Sequence, residues 1–463
     1  MATSPAELGN TMERLLTHVR GNVLLPEDDG YAAACSGHNT TVEHRPKVAV
    51  VADNPGDVRE AVRFARHNGL PVAVRATGHG PAAPADGAVL VNTSRLNEVR
   101  IDPHARTARV EAGARWEQVI TAAAEFGLAP PSGSSATVGA VGYTLGGGIG
   151  PLGRSYGYAA DHVHSLELVT ADGAARTASA AQNPDLFWAL RGGKGNFGVV
   201  TSMTINLFPV SRLYGGGLFF PGEEAETLLR TYREWTATLP VEMASALALV
   251  RFPDAEGVPD EIRGRFAVHA RIAYLGTEEE GRKLLEPIRR AAPLLMDTVA
   301  DMPFTSVATI NNDPTTPGPY IERSTVLDDL TPPAIERVLS WAGPGTDCPL
   351  VAVELRHLGG ALSHAPAGGN AVSNRDRAFT VFAVAVPEPD GETVRNYQDG
   401  MITDLAPYGS GGPFLSFLSS SETDTELVRS AYDPSVYQRL AEVKRTHDPD
   451  NTFRKTHNIP PAR

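Results

Sequence analysis

Residues Lys47–Gly80, KVAVVADNPGDVREAVRFARHNGLPVAVRATGHG, contain the pattern that decides the fold. The first seven residues are short, apolar and β-branched, which is typical of a buried strand. Apolar residues then recur at helical spacing from Val58 to Ala65, and Gly69 ends the helix. A second strand follows and leads directly into His79, which stands between two glycines. The stretch therefore predicts a β-α-β unit that places His79 just past a strand end, where ligands collect in α/β folds.

The bulk composition indicates an ordinary globular protein. A chain of 463 residues exceeds what one hydrophobic core usually organises, so two domains are expected. Hydrophobic residues make up 42% and charged residues 21%. The net charge of −13 provides no basic surface for nucleic acid or for an anionic membrane, and neither is expected as a partner.

The cysteines and the first thirty residues indicate the cellular compartment in which the protein is expected. Cys35 and Cys348 lie far apart, and two separate buried thiols are the simplest interpretation. The first thirty residues lack the apolar core of a signal peptide, and no later run approaches the roughly 20 apolar residues that span a bilayer. The cytoplasm is the expected location. The pattern leaves open whether the chain is a monomer or a homodimer.

The remaining sequence predicts two kinds of organisation. Short strands and one helix continue to about residue 127, and residues 131–153, PSGSSATVGAVGYTLGGGIGPLG, then show neither helical nor strand periodicity. Glycine at such density serves tight turns or close approach of the backbone to a ligand. From about Ser211 to Pro413, alternating strands and helices predict a second, largely antiparallel α+β domain.

Two segments match the G-x-G-x-x-G dinucleotide pattern, Gly148–Gly153 and Gly193–Gly198. A Rossmann fingerprint needs a strand before it and a helix that opens on its last glycine. The second match follows a helical pattern and precedes a strand, and the first contains Pro151. Neither is therefore interpreted as a Rossmann site.

Glycine loops can still hold a pyrophosphate through backbone N–H donors. Two such loops, Arg75–Gly80 and Ser132–Gly150, each follow an extended segment and together predict a large phosphate-bearing ligand. The glycines on either side of His79 leave its imidazole free to meet a flat ligand. A structural or solvated histidine is the alternative. No metal site is expected.

Four motifs in order resemble one family. VRATGHG is similar to the R-x-G-G-H motif of flavoproteins with a p-cresol methylhydroxylase-type FAD domain, specifically the berberine-bridge-enzyme-like oxidases. In that family this histidine bonds covalently to the flavin 8α-methyl group. The other three motifs are VGAVGYTLGGGIGPLGRSYGYAADHV, NPDLFWALRGGKGNFGVVT and DPDNTFRKTHNIPP. The resemblance spans nearly the whole chain.

The resemblance implies an α+β fold with a two-part FAD-binding domain and an α+β substrate domain built on a large antiparallel sheet. It implies an N-terminal segment 1–39, an FAD-binding domain 40–210, a substrate-binding domain 211–413 and a C-terminal segment 414–463 that completes the FAD domain. His79 would attach FAD covalently. The other implied cofactor-binding residues are Arg75, Ala76, Thr77, Gly78, Gly80, Ser135, Val138, Gly139, Gly142, Gly146, Gly147, Gly148, Gly150, Gly198, Val199, Val200 and Asn458.

Two departures from the family pattern are informative. Many relatives have a cysteine as second tether where this chain has Ser135, so only single histidyl attachment is expected. Many bacterial relatives carry a tyrosine pair where this chain has Phe414 and Phe417. A phenylalanine cannot take a proton, so base chemistry has to come from elsewhere or be unnecessary.

Glu354 is the candidate base. Strand alternation places it on one face with Ala352 and Arg356, while Val351, Val353 and Leu355 form the apolar face. The resemblance places Glu354 over the flavin at the position of the catalytic carboxylate. Its pKa is expected to lie above the ordinary value because of burial, while pairing with Arg356 would oppose that rise.

Two further interpretations of this region stay open. A Glu354–Arg356 charge pair on a solvated sheet face is the alternative to a catalytic carboxylate. Tyr143 is the second catalytic candidate, as a phenol that orients substrate, with simple packing as its alternative.

The expected chemistry is oxidation of an alcohol, sugar or polyketide-like compound by hydride transfer to flavin N5, with O2 as electron acceptor. A flavin-dependent monooxygenation or oxidative rearrangement, as in enterocin-type tailoring enzymes, is one alternative. A flavin-binding protein without turnover is another.

Overall fold

The computed structural model describes residues 5–80 and 83–463, with only the backbone of residues 5–10. The first four residues of the predicted N-terminal segment and two residues of the loop after His79 lie outside this description.

The predicted β-α-β unit is present as a strand, a helix and a second strand that ends at Arg75. The helix begins at Asn54, whose side chain accepts the backbone N–H groups of Gly56 and Asp57. Both strands pair in parallel with a central strand, so that His79 follows the carboxyl end of the sheet. The elements are α1 (Pro5–His18), β1 (Asn22–Leu24), α2 (Tyr31–Cys35), β2 (Val48–Val51), α3 (Pro55–His67), β3 (Val72–Arg75) and β4 (Val89–Asn92), with strand order β1-β2-β4-β3.

A second, antiparallel sheet completes the FAD-type domain. Its elements are β5 (Val99–Asp102), β6 (Thr107–Glu111), α4 (Trp116–Ala124), α5 (Ala140–Leu145), α6 (Gly153–Tyr156), β7 (Val163–Val169), β8 (Ala175–Ser179), α7 (Pro184–Leu190) and β9 (Val199–Asn206), with strand order β5-β6-β9-β7-β8. The sequence predicts no regular structure for the glycine-rich segment, yet the segment contains α5 and the start of α6. These helices span barely one or two turns, so no period can show in the sequence, and burial of Val141 and Leu145 stabilises α5.

The secondary structure around the two G-x-G-x-x-G segments excludes a Rossmann site. The first begins after a helix, α5, and the second lies between helix α7 and strand β9. Neither connects a strand to a helix that opens on its last glycine.

The predicted antiparallel α+β domain follows. Its elements are β10 (Arg212–Pro221), α8 (Ala225–Thr236), β11 (Met243–Arg251), β12 (Phe266–Tyr274), α9 (Glu278–Arg289), β13 (Met296–Asp297), β14 (Ala300–Pro303), β15 (Ile321–Leu327), α10 (Pro332–Ala342), β16 (Ala352–His357), β17 (Phe379–Ala385) and α11 (Gly391–Leu405). The strand order is β13-β10-β12-β11-β16-β17-β15, and β14 also pairs with β10. Helices cover one face of this sheet and form a core with it, which includes Val353 and Leu355 as predicted. The opposite face of the sheet is therefore available to line a binding site.

The C-terminal segment returns to the FAD-type domain, in agreement with the predicted fold. It contains α12 (Thr425–Ser430) and α13 (Pro434–His447). Leu440 and Ile459 join the core of the antiparallel FAD sheet. The ammonium of Lys444, fully buried, donates to Asp448 at 2.7 Å and to the backbone carbonyl of Asn196 at 2.7 Å.

Cys35 and Cys348 are free and buried, as predicted. Within residues 5–80 and 83–463, every helix is too short or too polar to cross a lipid bilayer.

Candidate active site

A cavity of about 780 Å³ separates the FAD-type domain from the open face of the large sheet. Its walls come from the glycine loops of the first domain, from β15, β16 and β17, from the loop Asp313–Tyr320 and from the C-terminal segment. The fold brings nearly all predicted site residues into these walls. The exceptions are Gly147, Gly150, Val199 and Asn458.

His79 presents its imidazole to this cavity. The ring stacks on His38 at 3.7 Å between centroids, and Nε2 lies 3.0 Å from the hydroxyl of Thr137. Nδ1 has no hydrogen bond to any residue that the structure describes. Burial lowers the pKa of His79 to about 3, with smaller contributions from His38 and Arg115, so the ring is neutral at physiological pH. A neutral ring with an open nitrogen is a potential nucleophile.

The backbone around His79 is fixed from both sides. Gly78 has φ +71°, and a Cβ there would lie 2.6 Å from Cα of Gly37, so only glycine fits. The hydroxyl of Tyr320, at the end of the loop Asp313–Tyr320, donates to the backbone carbonyl of His79. Gly318 in the same loop donates its N–H to the carbonyl of His38 at 3.0 Å. The substrate domain thus contacts the FAD-type domain directly at the candidate tether.

The glycines of the second loop have two different roles. A Cβ on Gly148, at φ +79°, would lie 2.4 Å from the Tyr143 ring, and a Cβ on Gly150 would lie 1.8 Å from the carbonyl oxygen of Ser132. These glycines let the loop pack against itself. Gly142 is different, because it is exposed in the cavity wall and a Cβ there would meet no atom of the described residues within 4 Å outside its own helix. It is the position where a ligand can approach the backbone closely.

Tyr143 lies against this loop with its ring edge-to-face on Trp116, at 5.4 Å between centroids. Its hydroxyl oxygen is buried and has no hydrogen-bond partner in the described part of the chain. Burial raises the pKa of this phenol above its ordinary value. Tyr143 is therefore a protonated donor at neutral pH.

Glu354 lies on the cavity face of β16, with only 4% of its surface exposed. Its carboxylate accepts hydrogen bonds from Arg271 and, at 2.9 Å, from Nε of Arg356. Burial raises its pKa, but the attraction of Arg356 and Arg271 outweighs burial, and the net pKa is lowered.

Three expectations for this strand were wrong in part. The raised pKa of Glu354 is wrong because two arginines pair with it. The charge pair with Arg356 is present, but the solvated sheet face is wrong because both groups line a cavity. Val351 precedes β16 and is 37% exposed in the cavity wall, so it does not share the apolar face with Val353.

Sequence reasoning missed four charged residues of the cavity: Lys194, Asp313, Glu322 on β15, and Lys455. Burial raises the pKa of Glu322 to about 8 and lowers the pKa of Lys194 to about 8. Lys194 has φ +52°, which is uncommon for any residue other than glycine. The one available signal was a lysine inside the glycine run RGGKGNFG. Nothing in the sequence brings Glu322 next to it.

The residues present fit an FAD molecule. Glycine loops supply backbone donors, His79 supplies an open nitrogen, and Phe382, Phe414 and Phe417 supply apolar walls. Arg75 lies in the cavity wall, and its buried Nε lacks a partner among the described residues. Within the same residues, His, Cys, Asp and Glu form no group that could hold a metal ion.

Comparisons with known proteins agree with this geometry. The family "FAD binding domain" matches residues 46–179, and the family "Berberine and berberine like" matches residues 395–460. An FAD-linked oxidoreductase of Bacillus subtilis is 28% identical over 96% of this chain and 98% of that protein. (R)-6-hydroxynicotine oxidase of Paenarthrobacter nicotinovorans is 29% identical over 96% of this chain and 97% of that protein.

Solved structures show the same fold. The crystal structure of 6-hydroxy-D-nicotine oxidase from Arthrobacter nicotinovorans has a TM-score of 0.82 and 25% identity, over 96% of this chain and 98% of that chain. Xylooligosaccharide oxidase from Myceliophthora thermophila has a TM-score of 0.85 and 21% identity, over 98% of this chain and 99% of that chain. The fold and site thus define a flavoprotein oxidoreductase. More particularly, the chain contains matches to the FAD-binding and the berberine-like family models and is similar over nearly its whole length to FAD-linked oxidoreductases, as its motifs indicated.

Proposed function

We propose that this protein attaches FAD through His79 alone and oxidises a small organic substrate, an alcohol, a sugar or a polyketide-like compound, with O2 as electron acceptor. The observation that carries the proposal is the neutral imidazole of His79, which lines a glycine-rich cavity and whose Nδ1 has no hydrogen bond to the described residues. Ser135 donates to or accepts from Thr137 at 3.2 Å and offers no thiol for a second attachment.

When bound, FAD supplies a hydride acceptor whose reduced form reacts with O2. The chain's own residues have to hold the substrate and manage its proton. Glu354 is ionised at neutral pH and is the proposed proton acceptor, although the arginines that keep it ionised also weaken it as a base. Tyr143 is the proposed donor that orients substrate, because it lines the cavity and its buried hydroxyl has no partner in the described part of the chain.

The attachment is tested by acid precipitation of the purified protein. The flavin is expected to remain with the precipitate, and peptide mass spectrometry is expected to find the flavin mass on the peptide that contains His79. His79→Ala should lose the covalent label, while His104→Ala, at an exposed position, should keep it. Complete release of flavin from the wild-type protein would disprove the attachment.

The reaction is tested by a substrate screen with two readouts, hydrogen peroxide and incorporation of ¹⁸O₂ into product. One peroxide per product without label is expected for the oxidase. Labelled product would instead establish a monooxygenase, and failure of every substrate to bleach the flavin would favour a protein without turnover.

A further inference from the structure

A second, small cavity lies next to the large one and has a volume of about 50 Å³. Since one water needs about 10 to 15 Å³, this volume holds a group of roughly three or four heavy atoms. Glu354, Arg356, Ser134 and Ile149 line both cavities. A ligand can therefore place one small group in the small cavity while the rest of it extends past Glu354 into the large cavity.

One wall of the small cavity is the open face of the large sheet. Ala246 of β11 is paired with Arg271 of β12 on one side and with Arg356 of β16 on the other, so the three side chains lie in one row. Ala246 contributes only a methyl group to this row. The two arginines therefore have room to reach the carboxylate of Glu354, and both donate to it.

The charges that border the small cavity do not balance. Among the described residues that line it, the guanidinium groups of Arg154, Arg271 and Arg356 face the single carboxylate of Glu354. His357 also lines the cavity, but it is neutral at physiological pH because burial lowers its pKa to about 3. The small cavity is therefore electropositive.

The carboxylate of Asp313 reduces this excess of positive charge but does not remove it. Asp313 lies in the wall of the large cavity, accepts a hydrogen bond from Ser134 at 3.0 Å and attracts Arg356. With Asp313 included, three guanidinium groups face two carboxylates. Because a poorly solvated charge without a counter-charge is costly, the site favours an anion.

Two side chains of the small cavity have hydrogen-bond donors that the protein does not use. Arg271 donates through Nη1 to Glu354 and through Nε to His269 at 3.3 Å, and its Nη2 donates to none of the described residues. Its side chain is 14% exposed and so can be reached by a ligand. The side-chain amide of Asn311 has no hydrogen-bond partner among the described residues either. Arg271 and Asn311 can therefore donate to a group in the cavity.

The other two arginines are committed to the protein. Arg356 uses Nε and Nη2 on Glu354, and its Nη1 donates to the backbone carbonyl of Ile149 at 3.2 Å. Arg154 donates to two backbone carbonyls. These two arginines contribute positive charge, whereas Arg271 contributes both charge and a free donor.

We propose that Arg271 and Asn311 bind a carboxylate of the substrate in the small cavity, so that the substrate is an organic acid whose oxidised carbon lies in the large cavity. A carboxylate has the size of this cavity, supplies the missing negative charge and accepts charge-assisted hydrogen bonds from a guanidinium group. Hydroxy acids and sugar acids combine such a group with an oxidisable alcohol. This assignment rests on the proposed function, because it specifies the substrate class of the same oxidation.

The test compares acids with their uncharged amides: lactate with lactamide, mandelate with mandelamide, and gluconate with gluconamide. Within each pair the body is the same and the charge of the head group differs. Dissociation constants are measured with the flavin-loaded protein at neutral pH, by calorimetry and by the flavin difference spectrum. At least one acid is expected to bind about tenfold more tightly than its amide, which corresponds to one hydrogen bond to a charged group.

Variants of the two donors test the assignment. Arg271→Gln should abolish the preference for the acid, and Asn311→Leu should reduce it about threefold, with little change in the affinity for the amide. Arg271→Lys keeps the charge and should retain part of the preference. Arg282→Gln removes one exposed positive charge and serves as the matched control, which should bind every ligand like the wild-type protein. If Arg271→Gln does not fold, Asn311→Leu decides, because Asn311 takes part in no ion pair among the described residues.

The absence of a preference for any acid over its amide would overturn the inference, and so would a preference that survives Arg271→Gln. Chloride provides a further comparison, because chloride binding without a preference for any acid would assign the small cavity to a free inorganic anion and not to the substrate. The proposed function would fail separately, through release of flavin on acid precipitation or absence of flavin reduction by any compound. Since binding is measured without turnover, the two failures are distinguishable.

Discussion

Glu354 and Glu322 lie on one face of one sheet, yet their environments give them opposite properties. Two guanidinium groups hold Glu354 ionised, whereas burial without an arginine partner raises the pKa of Glu322 to about 8. Protein environments that separate the pKa values of like groups often assign them different tasks. The structure therefore offers one carboxylate that is charged at neutral pH and one carboxyl group that keeps its proton up to about pH 8.

Glu354→Gln is expected to slow flavin reduction by roughly 10² to 10⁴, the range for loss of a positioned general base. Stopped-flow absorbance at the flavin band measures this rate. The substitution also leaves Arg271 and Arg356 without their carboxylate, so the melting temperature should fall as well.

A substitution in an exposed ion pair serves as the control for both the rate of flavin reduction and the melting temperature. Glu278→Gln breaks an exposed ion pair with Arg282 and should change neither rate nor melting temperature. If Glu354→Gln reduces its flavin as fast as the wild-type protein, Glu354 is only an anchor for the arginines.

At the scale of elements, the short helix α5 places Gly142 in the cavity wall, where a Cβ would meet no atom of the described residues within 4 Å outside its own helix. Gly142→Val is expected to lower the flavin content of the purified protein strongly, because its side chain would occupy the space of the ligand. The far-ultraviolet circular dichroism should stay unchanged. Flavin content is measured from the ratio of the flavin absorbance to the protein absorbance.

Gly150→Ala provides the contrast, because its Cβ would clash with the backbone of Ser132 rather than with a ligand. This variant should melt at a lower temperature whether or not flavin is present. Normal flavin content in Gly142→Val would show that the cofactor lies elsewhere.

The elements show what the sequence can and cannot predict. Long periodic segments such as α8 and β12 are recognised because a period of 3.6 or 2 repeats several times within them. Helix α5 is not, because six residues are too few to show a period. Glu354 is found because strand alternation is local, whereas the proximity of Glu322 and Lys194 depends on how a sheet of one domain packs against a loop of the other.

At the scale of the whole molecule, buried neutral histidines make stability depend on pH. His457 is fully buried. This burial, and to a smaller extent the repulsion from Lys194, lowers the pKa of His457 to about 3. Below about pH 6.5 the unfolded chain binds a proton that the folded protein does not, so the free energy of unfolding falls as pH falls toward the folded-state pKa. By about pH 5 the loss from this residue is expected to reach about 2 kcal/mol.

Thermal unfolding of the wild-type protein and His457→Asn at pH 7 and pH 5 measures this contribution. The variant should be less stable at pH 7 but should lose less stability on acidification. His104→Asn, at an exposed position, should have the pH dependence of the wild-type protein. Equal pH dependence in all three proteins would contradict the assignment.

The contact between the loop Asp313–Tyr320 and the backbone of His38 and His79 has a consequence for how the holoprotein matures. A dinucleotide that enters the cavity from this side has to do so before the loop closes over the histidine, or the two domains have to separate again. Flavin supplied during synthesis should therefore be incorporated faster than flavin added to finished apoprotein. The order of assembly, and not the affinity of the completed cavity, would then set the yield of active protein in a cell that is short of riboflavin.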